Sequence, residues 1–399
     1  MTGRLLIRPM RRAWRSALAA AGLAVLVIAP FAGPARAVEI QRVVSPLGIE
    51  AWLVQEDTVP LIAMSFAFTG GAAQDPKDRP GVANMLSGLL DEGAGDLDSQ
   101  AFQAALDEFS IELSFDADRD SFSGSLATLV ENRDDAVRLL RLALTEPRFE
   151  PEPVERIRAQ IVAGIRSDEL DPDSVAVEAL IESAFPDHPY GRPREGTIET
   201  VEAITADDLR AFHGKNIARD NLKISVVGAI DAASLATMLD EVFGALPVKA
   251  NLDLVPDVEP ITSGRIDIAM SIPQTVLDFA GRGLTRNDPE FIPASVAAFI
   301  LGGGSSSRLY DEIREKRGLV YSIGLGLRAY DRSGLIVGGT KTRADQADNV
   351  ISLIEAEIAR FASEGPTEDE LAKAKSYLIG SYPLRFTTSM QIANQLLSI

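Results

Sequence analysis

The sequence predicts an α+β fold in two tandem homologous domains, and three observations predict it. Runs with apolar residues at every second position are interleaved with runs where they recur every three or four, so strands and helices are mixed along the chain. A strand-loop-helix plan over residues 121–144 recurs over 334–358, with Asp135-Ala136-Val137 matched by Asp348-Asn349-Val350 at an offset of 213. The acidic, Pro-containing turn and helix of Pro151–Gly164 likewise recur as Pro366–Gly380, at an offset of about 216. So long a period denotes duplicated domains, not a solenoid of short units. Between the copies, residues 246–264 are rich in Pro, Asp and Val without a helical period and read as the linker, which sets the domains at 38–245 and 265–399.

At the start, residues 1–37 read as a secretory signal. Arg4, Arg8, Arg11, Arg12 and Arg15 form a basic region, Ala17–Ile28 is an apolar run of twelve, and Ala35-Arg36-Ala37 ends in an A-x-A cleavage pattern. Cleavage is expected after Ala37, giving a periplasmic or secreted protein with no membrane span; an uncleaved anchor is the alternative, although twelve residues fall short of the roughly 20 a span requires. The whole chain carries a net charge of −19. Six arginines and no acid lie within 1–37, so the mature chain is more acidic still, which argues against nucleic acid or anionic lipid as partner. With no cysteine, disulfide and thiol chemistry are excluded.

Within the first domain, residues 40–44 and 49–54 predict a hairpin, 61–69 a third strand and 70–80 a polar loop. Val82, Met85, Leu86, Leu89 and Leu90 share one helical face, and a second helix is expected over 99–109. A hairpin follows at 111–117 and 121–130. Helices are expected near 134–145, 155–166, 174–184 and 206–212, then a buried strand at 223–227 and a helix at 234–243. Residues 391–399 read as a helix without a capping signal, and the second half offers no counterpart to 223–227, so the second domain is expected to be truncated at its end.

The stretch around which the second half is organised is Leu301–Ile323, LGGGSSSRLYDEIREKRGLVYSI. Gly302, Gly303 and Gly304 make a loop without side chains, suited to close backbone approach or simply to a turn. Ser305, Ser306 and Ser307 offer capping hydroxyls to a helix carrying Leu309 and Ile313. Gly318 suits the residue after that helix, and Leu319–Leu327 reads as a strand. Arg314 thus falls in the last helical turn and Tyr321 early in the strand. A guanidinium and a phenol at this spacing suit the holding of a peptide carbonyl or developing oxyanion; a surface Arg and a half-buried strand Tyr is the plainer alternative. Only two histidines exist, His188 and His213, and neither has a spaced partner for a metal.

Several short motifs in order carry a resemblance: Pro80-Gly81-Val82-Ala83, His188-Pro189-Tyr190-Gly191 followed by Thr197, Val226-Val227-Gly228, and Ser307-Arg308-Leu309 through Arg314-Glu315-Lys316-Arg317-Gly318-Leu319-Val320-Tyr321-Ser322. From about Val44 onward the chain resembles the pitrilysin/insulinase family of zinc metallopeptidases, in its bacterial branch of half-size subunits. The resemblance implies two homologous domains per subunit, each an antiparallel sheet with helices packed against it, and two subunits closing as a clam shell around a peptide chamber. It also implies a zinc motif H-x-x-E-H with a further Glu on a later helix. Here the motif positions hold Asn84, Ser87 and Gly88, and the distal one falls near Gly164, so no catalytic zinc is expected in this chain. Arg314 and Tyr321 match the pair with which the family's C-terminal domain holds the substrate carbonyl, and Gly302–Gly304 resembles a substrate-contacting glycine loop of a non-catalytic subunit.

The resulting expectation is a non-catalytic, substrate-binding subunit, active in proteolysis only beside a homologous partner that carries H-x-x-E-H and the zinc. A non-enzymatic scaffold or peptide-binding member of the same family is the runner-up. A peptidase with a rearranged metal site lacks ligands.

Overall fold

A hairpin start, β1 (Ile40–Val44) and β2 (Glu50–Gln55), opens the first half, which is built on six strands. The others are β3 (Leu61–Thr69), β4 (Glu112–Ala117), β5 (Ser121–Leu129) and β6 (Leu222–Gly228), in the order β1-β2-β6-β3-β5-β4. β3 pairs antiparallel with β5 and β6, but β2 pairs parallel with β6. The first sheet is therefore mixed, not antiparallel throughout as the resemblance implied. A hairpin forces antiparallel neighbours, whereas β6 returns after a long helical excursion and can lie along β2 in either sense. This computed structural model describes residues 39–398, so the expected leader at 1–37 lies outside the described residues.

Helices cover this sheet: α1 (Val82–Ser87), α2 (Ser99–Glu108), α3 (Arg133–Thr145), α4 (Pro151–Asp168), α5 (Pro172–Ala184), α6 (Ile198–Ala203), α7 (Ala206–Asn216) and α8 (Ala232–Phe243). Side-chain caps start several of them. Asp98, Asp171 and Asp231 each accept a backbone N–H three residues on, and Thr205 with Asp208 makes a capping box. Phe66 is the pivot of the core, meeting Phe68, Phe115 and Phe243 edge-on at 5.5–6.2 Å between ring centres.

In the second half, β7 (Gln274–Arg282), β8 (Val320–Ala329) and β9 (Gly334–Arg343) form an antiparallel sheet in the order β7-β9-β8. This repeats β3-β5-β4. Leu61 and Gln274 open the first of these strands and Ser121 and Gly334 the second, each pair 213 residues apart. α9 (Phe291–Gly302), α10 (Ala347–Glu364), α11 (Glu368–Ser381) and α12 (Ser389–Leu397) complete it, with a π-helical turn at Tyr310–Glu315. Among the described residues the second sheet has no strand in the places of β1, β2 and β6.

Residues from Gln41 onward form one compact unit, because the halves cover each other's sheets. Leu180 and Ile181 of α5 pack with Ala280 of β7 and Leu335 and Val337 of β9. Reciprocally, Ile392, Ala393 and Leu396 of α12 pack on Val54 and Val227, and the Ser225 hydroxyl donates to the Ala393 carbonyl at 2.7 Å. α5 and α12 hold equivalent places in the two copies, each following the helix after the repeated turn. The β4–β5 and β8–β9 turns also meet: Asp331 N–H donates to Asp120 Oδ2 at 3.0 Å. Residues 246–264 are a strap tied to both halves, through Asp253 N–H to Gln74 Oε1 at 2.7 Å, Val258 N–H to the Arg332 carbonyl at 3.0 Å and Ile261 N–H to the Ala184 carbonyl at 2.9 Å. Among the described residues no helix is long and apolar enough to cross a membrane.

Candidate functional site

The Leu301–Ile323 stretch begins in α9, whose residues are apolar all round and therefore lack a helical stripe. Two of its glycines are set by packing. A Cβ on Gly302 would lie 2.5 Å from Leu325 Cβ, and one on Gly303 would lie 2.4 Å from the Phe299 ring. Gly304 faces open space and has no such duty. The serines do not cap as expected: Ser307 is buried, its hydroxyl finds no partner, and its backbone carbonyl accepts Asp311 N–H at 3.0 Å.

Arg308 turns out to be the structural anchor of the stretch. Its guanidinium grips both carboxylate oxygens of Glu370 at 2.7 Å, donates to the Gly365 carbonyl at 2.9 Å and stacks 4.9 Å from the Phe361 ring centre. Arg308 pulls the Glu370 carboxyl down to about 2. Leu309 and Ile313 are fully buried in the second core. Every strong interaction of this segment is thus made by residues other than Arg314 and Tyr321.

Gly318 adopts a left-handed φ of 63°, which ends the helical segment where the sequence placed its stop. β8 then enters with its pairing irregular between Val320 and Ile323. That irregularity leaves Tyr321 87% exposed. Arg314 donates to Glu315 at 3.0 Å, lies 5.9 Å from the Tyr310 ring centre, and keeps over a third of its side chain in solvent. No hydrogen bond joins Arg314 to Tyr321 among the described residues. Both groups face solvent with donors free for an acceptor brought from outside.

The counterpart positions in the first half lie on α1 and α4. Asp75 caps α1 from its buried carboxylate, accepting Gly81 N–H at 2.8 Å and Ala83 N–H at 2.9 Å. Burial pushes its carboxyl up to about 7 despite those bonds. The Ser87 hydroxyl is spent on the Asn84 carbonyl at 2.8 Å. A Cβ on Gly88 would sit 3.2 Å from Ile157 of α4, and Gly164, exposed on α4, faces open space. These four positions supply neither imidazole nor carboxylate, so they do not fit a zinc ion. Among the described residues no group of three or more His, Asp or Glu could hold a metal.

Both histidines are structural. His188 Nδ1 accepts Tyr190 N–H at 3.2 Å while Nε2 lies 3.0 Å from the Pro256 carbonyl, and His213 Nε2 lies 2.9 Å from the Leu144 carbonyl. Burial pushes both imidazoles down, toward the neutral form. Asp91 and Glu92 are engaged as well, with Gln103 and with Arg156 and Ser99. The His188-Pro189-Tyr190-Gly191 motif is the hub between the halves: the buried Tyr190 hydroxyl donates to Asp120 at 2.6 Å and accepts Arg332 N–H at 3.0 Å.

Residues 53–198 match the family described as insulinase, peptidase family M16, and residues 203–378 match the peptidase M16 inactive domain. A non-peptidase homolog, YmxG, of Helicobacter pylori is 26% identical over 83% of this chain and 77% of its own length. An uncharacterized zinc protease of Streptomyces coelicolor is 31% identical over 63% of this chain and 57% of its own. Among solved structures, a peptidase M16 inactive domain from Pseudomonas fluorescens superposes with a TM-score of 0.84 at 29% identity, covering 90% of this chain and 87% of that one. A protease from Helicobacter pylori superposes at 0.81 with 15% identity, over 91% and 89% of the two chains, a likeness of fold alone.

Proposed function

The chain belongs to the insulinase family of peptidases, M16, and we propose that within it this protein is a non-catalytic, substrate-binding subunit of a secreted heterodimeric zinc metallopeptidase. The observation that carries the proposal is a contrast within one chain. The positions where the family motif sets its metal ligands hold Asn84, Gly88 and Gly164, and that of its general base holds Ser87, while Arg314 and Tyr321 are kept exposed without a packing role. Zinc, its ligands and the general base would belong to a homologous partner carrying H-x-x-E-H. This chain would contribute two donors, the guanidinium of Arg314 and the phenol of Tyr321, aimed at the scissile carbonyl oxygen as it gains charge. In this proposal the two half-shells each consist of tandem homologous domains, and the leader at 1–37 directs the chain to the periplasm or beyond.

A second reading, a scaffold or peptide-binding member without catalytic duty, draws support from the name borne by the Helicobacter relative. Reconstitution with the H-x-x-E-H partner separates the two. Turnover at saturating peptide should fall about 100- to 1,000-fold in Tyr321→Phe, the usual cost of one oxyanion donor, with assembly intact. Arg314→Lys keeps the charge and loses the fork, and should also be impaired. Unchanged turnover in both, with normal stoichiometry, would leave only the scaffold reading. Elemental analysis of the separated chains should place zinc in the partner alone.

A further inference from the structure

The face of the second sheet turned toward α5 carries a trough of about 330 Å³. Its wall is aliphatic, formed by Val177, Leu180 and Ile181 of α5. Its floor is largely bare backbone, Gly324 and Gly326 on β8 and Gly339 on β9, with Val337 opposite Gly326 and Gly324 directly opposite Gly339 in the register. At one end lies Asp278 of β7, across from Gly339. A Cβ on Gly339 would fall 2.4 Å from Asp278 Oδ1, so the glycine is what lets the carboxylate lie over the sheet.

The other oxygen, Oδ2, is shut off from solvent and has no hydrogen-bond partner. The neighbouring cation, Lys341, is spent on Asp173. Lys341 makes no direct bond to Asp278 and offsets its charge only from a distance. Burial pushes the Asp278 carboxyl up, Asp173 adds to that, and Lys341 opposes it. Arg328, at the far rim, stands two strands over and four residues along, about 16 Å away by strand geometry, too far to serve as partner. Oδ2 is sealed from the trough, but Asp278 lines it, and a carboxylate with no hydrogen-bond donor of its own at the end of an aliphatic trough is complementary to one kind of group: a cation on a long apolar stem.

From this we infer that the trough between α5 and the β7-β9-β8 sheet binds a basic side chain, lysine or arginine, of an extended peptide, with its cation on Asp278. The volume lies at the lower end of ligand pockets, about 300–1,000 Å³, and suits one or two residues. The net charge of −19 also favours approach of basic peptides over acidic ones. The inference names a substrate class for the peptide-binding reading and rests on it only in taking the ligand to be a peptide. It needs no partner subunit.

Its test therefore uses the full mature chain alone, by fluorescence anisotropy, with acetylated and amidated Ala-Leu-Lys-Leu-Ala and its arginine and norleucine counterparts. The lysine or arginine peptide should bind at least tenfold more tightly than norleucine, and Asp278→Asn should erase the difference. Gly326→Leu fills open space, since nothing lies within 4 Å of a Cβ there, and should weaken both peptides while the chain stays folded. Should Asp278→Asn prove unfolded by thermal melting, Gly326→Leu alone decides. Equal affinity for lysine, arginine and norleucine, a preference surviving Asp278→Asn, or full binding in folded Gly326→Leu would overturn the inference. Turnover of the reconstituted pair, which tests the Arg314 and Tyr321 proposal, is read separately and can fail or succeed alone.

Discussion

Replacing Tyr190 by Phe removes one oxygen from the hub between the halves and leaves every ring contact in place. That oxygen donates to Asp120 at 2.6 Å and accepts Arg332 N–H at 3.0 Å, and the ring itself is fully buried against Phe185, His188 and Tyr330. A hydrogen bond to an ionised partner contributes about 1.5–3 kcal/mol, and an amide left without its acceptor costs about 1–3 kcal/mol. Asp120 and the Arg332 amide are only partly buried and can reach water, so the lower ends apply, about 2.5 kcal/mol together. In a chain of this size that lowers the melting temperature by about 3 °C. Urea unfolding of Tyr190→Phe, Asp120→Asn and the double variant measures it, and the double loss should fall short of the sum because both changes strike one hydrogen bond. A loss below about 0.5 kcal/mol would refute the reasoning. So would full stability with lost peptide binding, which would make the motif a ligand site instead.

Arg308→Met should cost about 3 kcal/mol, since it removes both guanidinium bonds to the Glu370 carboxylate while Glu357 keeps Arg360; calorimetry on the purified chain reports it. Because Glu370 is held down to about 2, folded chain binds its proton less readily than unfolded chain. Its share of stability is thus present above about pH 4.5 and is lost as pH falls toward 2, and Arg308→Met should flatten that acid limb of the stability profile. In the glycine loop, Gly304→Ala should leave stability unchanged, while Gly302→Ala should destabilise the chain by about 1–3 kcal/mol through the clash with Leu325, as seen by thermal unfolding.

Strands whose pattern alternates and helices that open on a capping Asp or Thr were legible in the sequence. β5 falls on Ser121–Leu129 against an expected 121–130, and α5 and α8 begin within two residues of where their periodicity placed them. Two elements of the second half were not. α9 has no polar face to set a period, and β7 is half-buried along its length without alternation. The parallel seam of β2 and β6 joins residues some 170 apart, and local pattern carries no information on such pairing. At the site, spacing and the family resemblance suggested Arg314 and Tyr321, but the exposure of Tyr321 accompanies an irregularity in the pairing of β8 that sequence pattern does not report. Asp278 carries no signal in the sequence, because what distinguishes it is a missing partner, which only packing reveals.

The mutual covering of sheets by α5 and α12 bears on how the chain is made. The Val54 and Val227 surface stays bare during synthesis until Ala393 has been added, and the hydrogen bond that seals it joins residues 168 apart. Neither half can be finished while the other is missing, so final closure must come late and slowly, as closures between distant segments do. Until then the nascent chain presents an uncovered apolar surface. A cut within the strap at 246–264 would leave two pieces, each presenting one orphaned helix and one uncovered sheet, built to find each other again.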